Sequence, residues 1–466
     1  MEKNNDFSRR DFLKAAVAGG SALALAACGG DKVAETNKNI TTEHQPKELG
    51  EMTYRQTTFT KDRVSLLGFG CMRFPTIEGD SAREGDAPID QEKVNEMVDY
   101  AMAHGVNYYD TSPAYCKGHS EEAIGKALAR HPRDKFFVAT KLSNFSEETW
   151  SREESLKIYY NSFKYLQVDY IDYMLLHGIG MGGMEAYNGR YVDNGILDFL
   201  LEERKAGRIR NLGFSYHGDV EVFDYLLSKH NEYHWDFVQI QMNYVDWSHA
   251  KELNERNTDA EYLYAELEKR DIPVVIMEPL LGGRLATLPN HLTEMLKRER
   301  PDDSIASWAF RYLGTFPKVL TALSGMTYLE HVEDNIRTYS PLEPLTDHEM
   351  ELLYEVAKLM VDYPLVPCTG CQYCMPCPYG LDIPTIFKHY NKSVSEDCIP
   401  DDAQNPEYRR LRKRFLVGYD RAVPGMRQAN HCIGCGRCMA HCPQGIIIPK
   451  ELRRIDAYVE KLKQQK

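Results

Sequence analysis

Eight cysteines near the carboxyl end of the chain fall into two compact runs. The first run is "CTGCQYCMPC" at 368–377 and the second is "CIGCGRCMAHC" at 432–442, and a proline follows the last cysteine of each. Thiolates at such short spacings are soft ligands that can surround a metal centre. Eight cysteines in two runs favour iron–sulfur chemistry, with zinc and disulfide pairing as the alternatives.

The second run resembles bacterial ferredoxins, because its spacing of Cys-x2-Cys-x2-Cys-x3-Cys-Pro matches theirs in full. Two such runs predict two [4Fe-4S] clusters, in which the fourth cysteine of each run binds the cluster of the other. The predicted ligand sets are Cys368, Cys371, Cys374 with Cys442, and Cys432, Cys435, Cys438 with Cys377. Only two residues separate the last two cysteines of the first run, so a trio of Cys371, Cys374 and Cys377 remains an alternative.

A second group of reactive residues lies at the ends of short apolar runs earlier in the chain. Asp110 ends "VNYYD", Lys141 ends "KFFVATK", His177 ends "DYMLLH", and Tyr115 follows Asp110 by five positions. If these runs are neighbouring strands of a parallel barrel, their carboxyl ends meet at one face. An acid, a phenol, an amine and an imidazole would then converge there. Singly, each has a structural interpretation as an ion pair, a loop aromatic or a core histidine.

The elements that would position these residues alternate between strand and helix from about residue 53 to 345. Eight runs have the composition of strands, and longer amphipathic stretches between them have the pattern of helices. The strands are predicted at 65–70, 106–110, 135–141, 172–177, 210–215, 236–241, 273–278 and 319–325, and helices at 90–104, 121–130, 153–166 and 197–205. Eight strands close a TIM barrel, an α/β fold. Residues 346–466 are predicted to form an α-rich, ferredoxin-like iron–sulfur domain.

Four segments of the predicted barrel resemble the aldo-keto reductases. They are "DTSPAYCKGHSEEAIGKAL" (110–128), "VATK" (138–141), "DYMLLH" (172–177) and "LSGMTYLEHVEDNI" (323–336), in the family's order. The resemblance implies that Tyr115 is the general acid in carbonyl reduction. It also implies that Lys141, held by Asp110, stabilises the phenolate, and that His177 orients the substrate oxygen. The ordinary pKa of a phenol, near 10, explains why such help is needed.

The same resemblance implies a nicotinamide cofactor. Ser215 and Gln239 match contacts to the nicotinamide amide, and "EPLLGG" (278–283) matches the loop that approaches the pyrophosphate. The remaining implied contacts are Pro279, Leu280, Gly282 and Gly283 in that loop, and Ser324, Gly325, Asp334 and Asn335 at the adenosine end. Tyr216 replaces a frequent asparagine, Met277 a frequent aromatic, and His331 is the single basic residue of "SGMTYLEH". The choice between NADP and NAD therefore stays open.

The first residues resemble a twin-arginine export signal. Arg9 and Arg10 precede an apolar run at 15–27, and "LAAC" at 25–28 resembles a lipobox that would make Cys28 the lipid-anchored first residue. Residues 1–28 are thus predicted to be a signal peptide and 29–52 a polar tether. The protein is expected in the periplasm or at the cell surface. Because this route carries folded proteins, the thiols would leave the cytoplasm already bound to iron.

Composition limits the partners of the chain. A net charge of −13 disfavours nucleic acid and an anionic membrane surface, so membrane contact is expected only through the lipid anchor. One exception to the acidic character is a basic helical stretch at 407–421. It either docks an acidic electron-transfer partner, or is a solvated helix face, or packs against the acids of the barrel.

These features predict an exported oxidoreductase that moves hydride between a nicotinamide nucleotide and a small carbonyl or alcohol, with a sugar as one candidate. A hydride carries two electrons and each cluster carries one, yet no flavin motif is recognisable. The clusters are therefore structural, or a bound flavin or a one-electron substrate completes the chain of transfer. The alternative is an electron relay in which the barrel is a docking scaffold for a membrane redox partner. A cluster-bearing sensor or assembly protein is a third hypothesis.

Overall fold

The structure is a computed structural model that describes residues 49–58, 60–253, 257–361, 365–396, 398–400 and 406–464. The predicted signal peptide, the lipobox and most of the predicted tether lie outside these residues. Within them, none of the helices combines the length and the apolar character needed to cross a membrane.

Eight parallel strands close into a barrel in which each strand pairs with the next along the chain and the last pairs with the first. An antiparallel pair, β1 (Tyr54–Gln56) and β2 (Arg63–Ser65), precedes the barrel. The barrel strands are β3 (Leu67–Gly70), β4 (Tyr108–Asp110), β5 (Phe137–Leu142), β6 (Ile171–Ile179), β7 (Ile209–Tyr216), β8 (Phe237–Gln241), β9 (Val274–Met277) and β10 (Val319–Gly325). The predicted eight-stranded α/β barrel is confirmed.

The strands are buried on both faces, which explains their nearly continuous apolar sequences. Tyr108, Tyr173 and Phe237 fill the inside of the barrel, where neighbouring rings meet edge to face. The outward faces pack against helices. Those helices are Gln91–Ala103, Ser120–Leu128, Arg152–Leu166, Gly183–Tyr187, Ile196–Lys205, Val220–Ser228, His230–Tyr233, Asp246–Leu253, Ala260–Glu268, Asn290–Glu299, Ile305–Thr315 and Leu329–Tyr339.

The carboxyl-terminal part is helical, as predicted. Helix Asp347–Val361 packs Leu353 and Val356 into the barrel core. Three further helices surround a second core that includes Phe387, Phe415 and Ile455. These helices are Ile383–Ser395, Tyr408–Ala422 and Ile448–Gln464. Most of the cysteines of both runs pack against this second core, so the helices form the frame that positions the thiols.

Candidate active site and cysteine clusters

The four predicted catalytic residues come together at the carboxyl end of the barrel. Asp110 ends β4, Lys141 is the second-last residue of β5, and His177 lies near the end of β6. Tyr115 lies in the loop that follows β4, just before Cys116 and Lys117, whose φ angles are 49° and 55°. Parallel pairing of β4, β5 and β6 brings the three strand ends side by side. The loop after β4 places the Tyr115 ring next to Lys141 and His177.

Asp110 and Lys141 form a buried ion pair. Lys141 Nζ donates to Asp110 Oδ1 at 2.6 Å and to the Thr111 carbonyl at 2.8 Å, and both charged side chains are almost fully buried. Burial lowers the pKa of Lys141 and raises that of Asp110, and the attraction between the two charges opposes both shifts. The pair therefore places a fixed ammonium group under the catalytic pocket.

Tyr115 lies above this ammonium group, with Lys141 Nζ 4.7 Å from the centre of its ring. Burial raises the pKa of Tyr115 well above its ordinary value, and the negative charge of Asp110 raises it further. The positive charge of Arg83 acts in the opposite direction. The positive charge of Arg83 therefore favours the phenolate form of Tyr115. No sequence motif indicated this arginine.

His177 is buried beside Tyr115, with the two ring centres 6.0 Å apart. Ser143 Oγ lies 2.7 Å from His177 Nδ1, which fixes the ring and leaves Nε2 as the nitrogen that can face a substrate. Burial, followed by the positive charge of Lys141, lowers the pKa of His177 well below its ordinary value. The imidazole is therefore neutral at physiological pH.

The residues predicted to contact the nicotinamide amide adjoin this group. Ser215 and Gln239 are buried in β7 and β8. Ser215 Oγ accepts the Gly178 N–H at 2.9 Å and keeps its own proton to donate. Gln239 Nε2 lies 3.5 Å from Asp110 Oδ2. These two side chains offer a hydroxyl donor and an amide group beside the Asp110, Lys141 and His177 group.

The residues predicted for the rest of the nucleotide lie in two loops. Pro279 and Leu280 pack inward, while Gly283 is exposed. The Gly282 N–H donates to Glu278 Oε2 at 2.7 Å, so this amide already has an acceptor. At the adenosine end, Asn335 Nδ2 donates to Ser324 Oγ at 2.9 Å, Asp334 pairs with Arg337, and Gly325 is exposed.

The first predicted set of cluster ligands lines one cavity. Cys368, Cys371 and Cys374 face Cys442 there, and apolar side chains including Phe387 complete the wall. Burial raises the pKa of the Cys374 thiol, and the neighbouring Cys371, Cys368 and Cys442 raise it further. This placement agrees with the exchange of the fourth ligand between runs.

The second predicted set gathers nearby. Burial raises the pKa of Cys438 to about 11, and its neighbours Cys432, Cys435 and Cys377 contribute to the rise. All eight thiols of the two runs are free of disulfides, and Cys435 is exposed. Within the described ranges, no group of three His, Cys, Asp or Glu side chains is close enough for a single metal ion. Four cysteine thiolates are the donor set of a [4Fe-4S] cluster, so the donor chemistry of each set fits a cluster.

The cysteine runs also contact the barrel at its active face. Tyr373 of the first run lies with its ring centre 6.2 Å from that of Phe145, which in turn lies 4.7 Å from His177. Gln444, which follows the second run, exchanges amide hydrogen bonds with Gln241 at the end of β8, at 2.9 and 3.3 Å. No local sequence pattern announces these contacts, because their partners lie far apart in the chain.

A cavity of about 1640 Å³ lies between the barrel loops and the cysteine helices. Its wall includes Arg83, Arg284, Cys368, Cys371 and Thr369. The catalytic loop reaches the same cavity through the two residues that flank Tyr115. The cavity thus adjoins both the catalytic phenol and the first cysteine set.

A TIM barrel with an Asp, Tyr, Lys and His group at its carboxyl face is the arrangement of a carbonyl oxidoreductase. The family model described as "Aldo/keto reductase family" matches residues 66–358, and the chain belongs to that family. A model described as "4Fe-4S dicluster domain" matches residues 367–447. The protein is therefore an NAD(P)-dependent oxidoreductase of the aldo/keto reductase family that carries a 4Fe-4S domain.

Curated relatives and solved structures cover the barrel. L-galactose dehydrogenase of Arabidopsis thaliana is 24% identical over 64% of this chain and 91% of its own. NADH-specific methylglyoxal reductase of Escherichia coli is 25% identical over 64% of this chain and 96% of its own. The holo form of an aldo-keto reductase from Bacillus halodurans, 24% identical, superimposes with a TM-score of 0.52 over 66% of this chain and 96% of that one. The structural likeness concerns the fold.

Proposed function

We propose that this protein transfers hydride between a nicotinamide nucleotide and a carbonyl or alcohol group of a small molecule, with Tyr115 as the proton donor and acceptor. The observation that carries the proposal is the meeting of buried Asp110, Lys141 and His177 with half-buried Tyr115 at the carboxyl end of the barrel. No simpler structural role requires a phenol, an ion pair and a neutral imidazole to meet in one pocket.

Each residue has a separate task in carbonyl reduction. Neutral His177 donates a hydrogen bond from Nε2 to the substrate oxygen and orients the carbonyl. Tyr115 gives its phenolic proton to that oxygen as negative charge develops there, and Lys141 and Arg83 stabilise the phenolate that remains. The nicotinamide supplies the hydride in reduction and accepts it in oxidation. One hydride and one proton convert the carbonyl to an alcohol, and the reverse reaction returns the proton to Tyr115.

The nicotinamide amide would be held by Ser215 and Gln239. The remainder of the nucleotide would be held by the 279–283 loop and by Ser324, Gly325, Asp334 and Asn335. Arg73 lies beside the adenosine end, since a Cβ on Gly325 would lie 3.0 Å from its Cδ. Its positive charge adds to burial in lowering the pKa of His331. Arg73 would therefore supply positive charge for a nucleotide phosphate, whereas the lowered pKa of His331 disfavours a charge on that imidazole.

The relatives support a sugar or a small aldehyde as substrate. One relative bears the name of a sugar dehydrogenase and another that of a methylglyoxal reductase, and the similarity covers 91% and 96% of their respective chains. A panel of aldoses and short carbonyl compounds is therefore the first choice for activity measurements.

We also propose two [4Fe-4S] clusters, bound by Cys368, Cys371, Cys374 and Cys442 and by Cys432, Cys435, Cys438 and Cys377. The cavity shared by the first four thiols supports the first set. Anaerobic purification followed by iron and sulfide determination should give about eight of each per chain. Values near four would leave one set without a cluster. The same preparation shows whether a flavin is bound.

Export by the twin-arginine route, with lipid attachment at Cys28, is a further part of the proposal. It is supported by the order of Arg9, Arg10, an apolar run and "LAAC" in the sequence. Fractionation of cells, with mass spectrometry of the mature amino terminus, tests it directly. Replacement of Arg9 and Arg10 by lysine should retain the full-length chain in the cytoplasm, whereas unchanged export would contradict the route.

Nicotinamide nucleotide is scarce outside the cytoplasm, so the cofactor is expected to bind before export and to stay bound. Mass spectrometry of the protein purified from the exported fraction should detect one nucleotide per chain and would distinguish NAD from NADP. Absence of nucleotide from protein that retains its iron would contradict this retention.

The substitution Tyr115→Phe tests the catalytic assignment, because it removes only the phenolic hydroxyl. Turnover should fall at least about 100-fold, the usual scale for loss of a general acid. Tyr379→Phe, an exposed substitution just after the first cysteine run, is the matched control and should leave turnover unchanged. Equal turnover in Tyr115→Phe and the wild-type protein would reject the assignment.

The electron-relay hypothesis is favoured by a different surface. Residues 406–464 contain thirteen Lys or Arg against five Asp or Glu, although the whole chain is acidic. Exposed Cys435 lies between exposed Ile433 and Arg437, and Met426 is 78% exposed. Arg453 adjoins this loop, since a Cβ on Gly434 would lie 3.8 Å from its Nη1. An exposed cysteine loop with exposed Ile433 and with Arg437 and Arg453 beside it suits an acidic one-electron carrier.

Stopped-flow oxidation of the reduced clusters by an acidic flavodoxin and by a basic cytochrome c tests this relay. The rate with flavodoxin should exceed the rate with cytochrome c and should fall as salt is added. Arg437→Glu should slow the flavodoxin reaction, while Arg298→Glu, a charge reversal on an exposed barrel helix, should leave it unchanged. Rates that do not depend on salt or on Arg437 would reject a docking surface there.

A further inference from the structure

Two arginines from barrel loops reach the first cysteine set with part of their hydrogen-bonding capacity unused. Nε and Nη2 of Arg83, and Nε and Nη1 of Arg284, are buried and have no hydrogen-bond partner among the described residues. Arg83 is 6% exposed, and its nearest carboxylate oxygen belongs to Glu278, at 4.0 Å from Nη2. Buried guanidinium groups are costly when unpartnered, so a missing acceptor is indicated.

The position of these donors identifies the acceptor. Both arginines line the 1640 Å³ cavity together with Cys368 and Cys371. Cys368 and Cys371 also line the smaller cavity that they share with Cys374 and Cys442. The two cavities therefore meet at these cysteines, and a group bound by the four thiols would adjoin the guanidinium groups.

We propose that Arg83 and Arg284 donate hydrogen bonds to sulfur atoms of the cluster bound by Cys368, Cys371, Cys374 and Cys442, and that they thereby raise its reduction potential. This inference rests on the proposed two-cluster assignment. A cluster with four thiolate ligands carries a net negative charge, and reduction adds one electron and thus one more negative charge. Nearby positive charge and hydrogen bonds to sulfur stabilise the reduced form more than the oxidised form.

The two arginines come from barrel loops, whereas the thiols that share their cavity wall come from the first cysteine run. The barrel, rather than the cysteine domain alone, would then set how readily this cluster accepts an electron.

The test is a potentiometric titration of the full-length, cluster-loaded protein followed by electron paramagnetic resonance. In Arg83→Gln and Arg284→Gln, one of the two cluster signals should require about a tenfold higher reductant-to-oxidant ratio for half-reduction, which equals a fall of about 59 mV for one electron. The second cluster signal should not move. Arg83→Lys keeps the charge and should recover part of the shift.

Arg311→Gln is the matched control, because Arg311 is also buried but pairs with Glu349, and neither residue lines either of the two cavities. It should leave both potentials unchanged. Iron determination on every variant separates loss of a cluster from a change in its potential. Wild-type protein without two clusters would reject the two-cluster assignment, whereas two clusters with unchanged potentials in both arginine variants would reject the role of the arginines alone.

An anionic small molecule is the competing acceptor for these donors. Calorimetry with inorganic pyrophosphate on the wild-type protein and on Arg83→Gln distinguishes it from the cluster. Loss of pyrophosphate binding in the variant with no change in either potential would overturn the proposal. A changed potential with unaltered pyrophosphate binding is the expected result.

Discussion

Thr369, in the first cysteine run, lies directly against Gly282, in the barrel loop predicted to approach the pyrophosphate. A Cβ placed on Gly282 would lie 2.5 Å from Thr369 Cα, and the φ angle of Gly282 is +69°. Arg73 reinforces the contact by donating from Nη2 to the Thr369 carbonyl at 3.2 Å. The cysteine domain therefore contacts the loop that is proposed to bind the nucleotide, which links the two halves of the proposed function.

Gly282→Ala should weaken this contact. The added methyl group must displace the Thr369 backbone, and alanine is also strained at a positive φ angle. Gly283→Ala is the matched control, since its φ angle is +96° but no heavy atom lies within 4 Å of the place that a Cβ would occupy. Urea unfolding should show Gly282→Ala to be less stable than Gly283→Ala by about 1–3 kcal/mol. Equal losses of unfolding free energy in the two variants would show that backbone strain, and not the contact with Thr369, accounts for the effect.

Removing both charges of the buried pair Asp110 and Lys141 should restore stability lost in the single variant but should not restore activity. Asp110→Asn leaves an unpaired buried ammonium group and should lower the free energy of unfolding by about 3 kcal/mol. Adding Lys141→Met to that variant removes the unpaired charge and should restore most of the stability, while turnover stays at least about 100-fold below the wild-type value. Recovery of turnover in the double variant would contradict the role of the ammonium group.

Glu121 gives a prediction for the dependence of stability on pH. It is buried and accepts a hydrogen bond from Thr140 Oγ1 at 2.6 Å, and burial raises its pKa to about 7. Its pKa in the unfolded chain is near 4.5, so the folded protein binds the proton more tightly and loses stability as pH rises from about 4.5 to about 7.

Glu121→Gln replaces the protonated acid with a neutral amide. As pH rises from about 5 to about 8, the wild-type protein should lose stability that the variant keeps. The difference in the free energy of unfolding should therefore change by up to about 3 kcal/mol in favour of the variant. Urea unfolding at several pH values measures this difference. A difference that stays constant with pH would contradict the raised pKa.

Tyr373 should act on substrate binding more than on chemistry. Its ring faces Phe145, which packs on His177, so Tyr373 forms part of the wall of the pocket. Tyr373→Ala should raise KM about tenfold and change kcat less, because the lost contact is made before and during reaction alike. Tyr379→Ala, two residues beyond the same run and exposed, should leave both constants unchanged. A fall in kcat alone would place Tyr373 in the chemical step.

The barrel and the catalytic group were predictable because their signals are local. Asp110, Lys141 and His177 each close a short apolar run, and parallel strands must bring such ends together. The contacts of the cysteine domain with the barrel were not predictable. Thr369 meets Gly282, and Gln444 meets Gln241, across large separations in sequence that leave no periodic pattern. The role of Arg83 was hidden for the same reason, since it lies in an irregular loop and its importance comes only from what folds against it.

The most direct measurement is a single-turnover reaction with a nicotinamide labelled with deuterium at the transferred position. Anaerobic protein with bound reduced nucleotide is mixed with a carbonyl substrate from the aldose panel, and the alcohol is analysed by mass spectrometry. We expect one deuterium per product molecule in the wild-type protein and at least about a 100-fold slower transfer in Tyr115→Phe. Product formed without deuterium, or at the same rate in Tyr115→Phe, would contradict hydride transfer with Tyr115 as the proton donor.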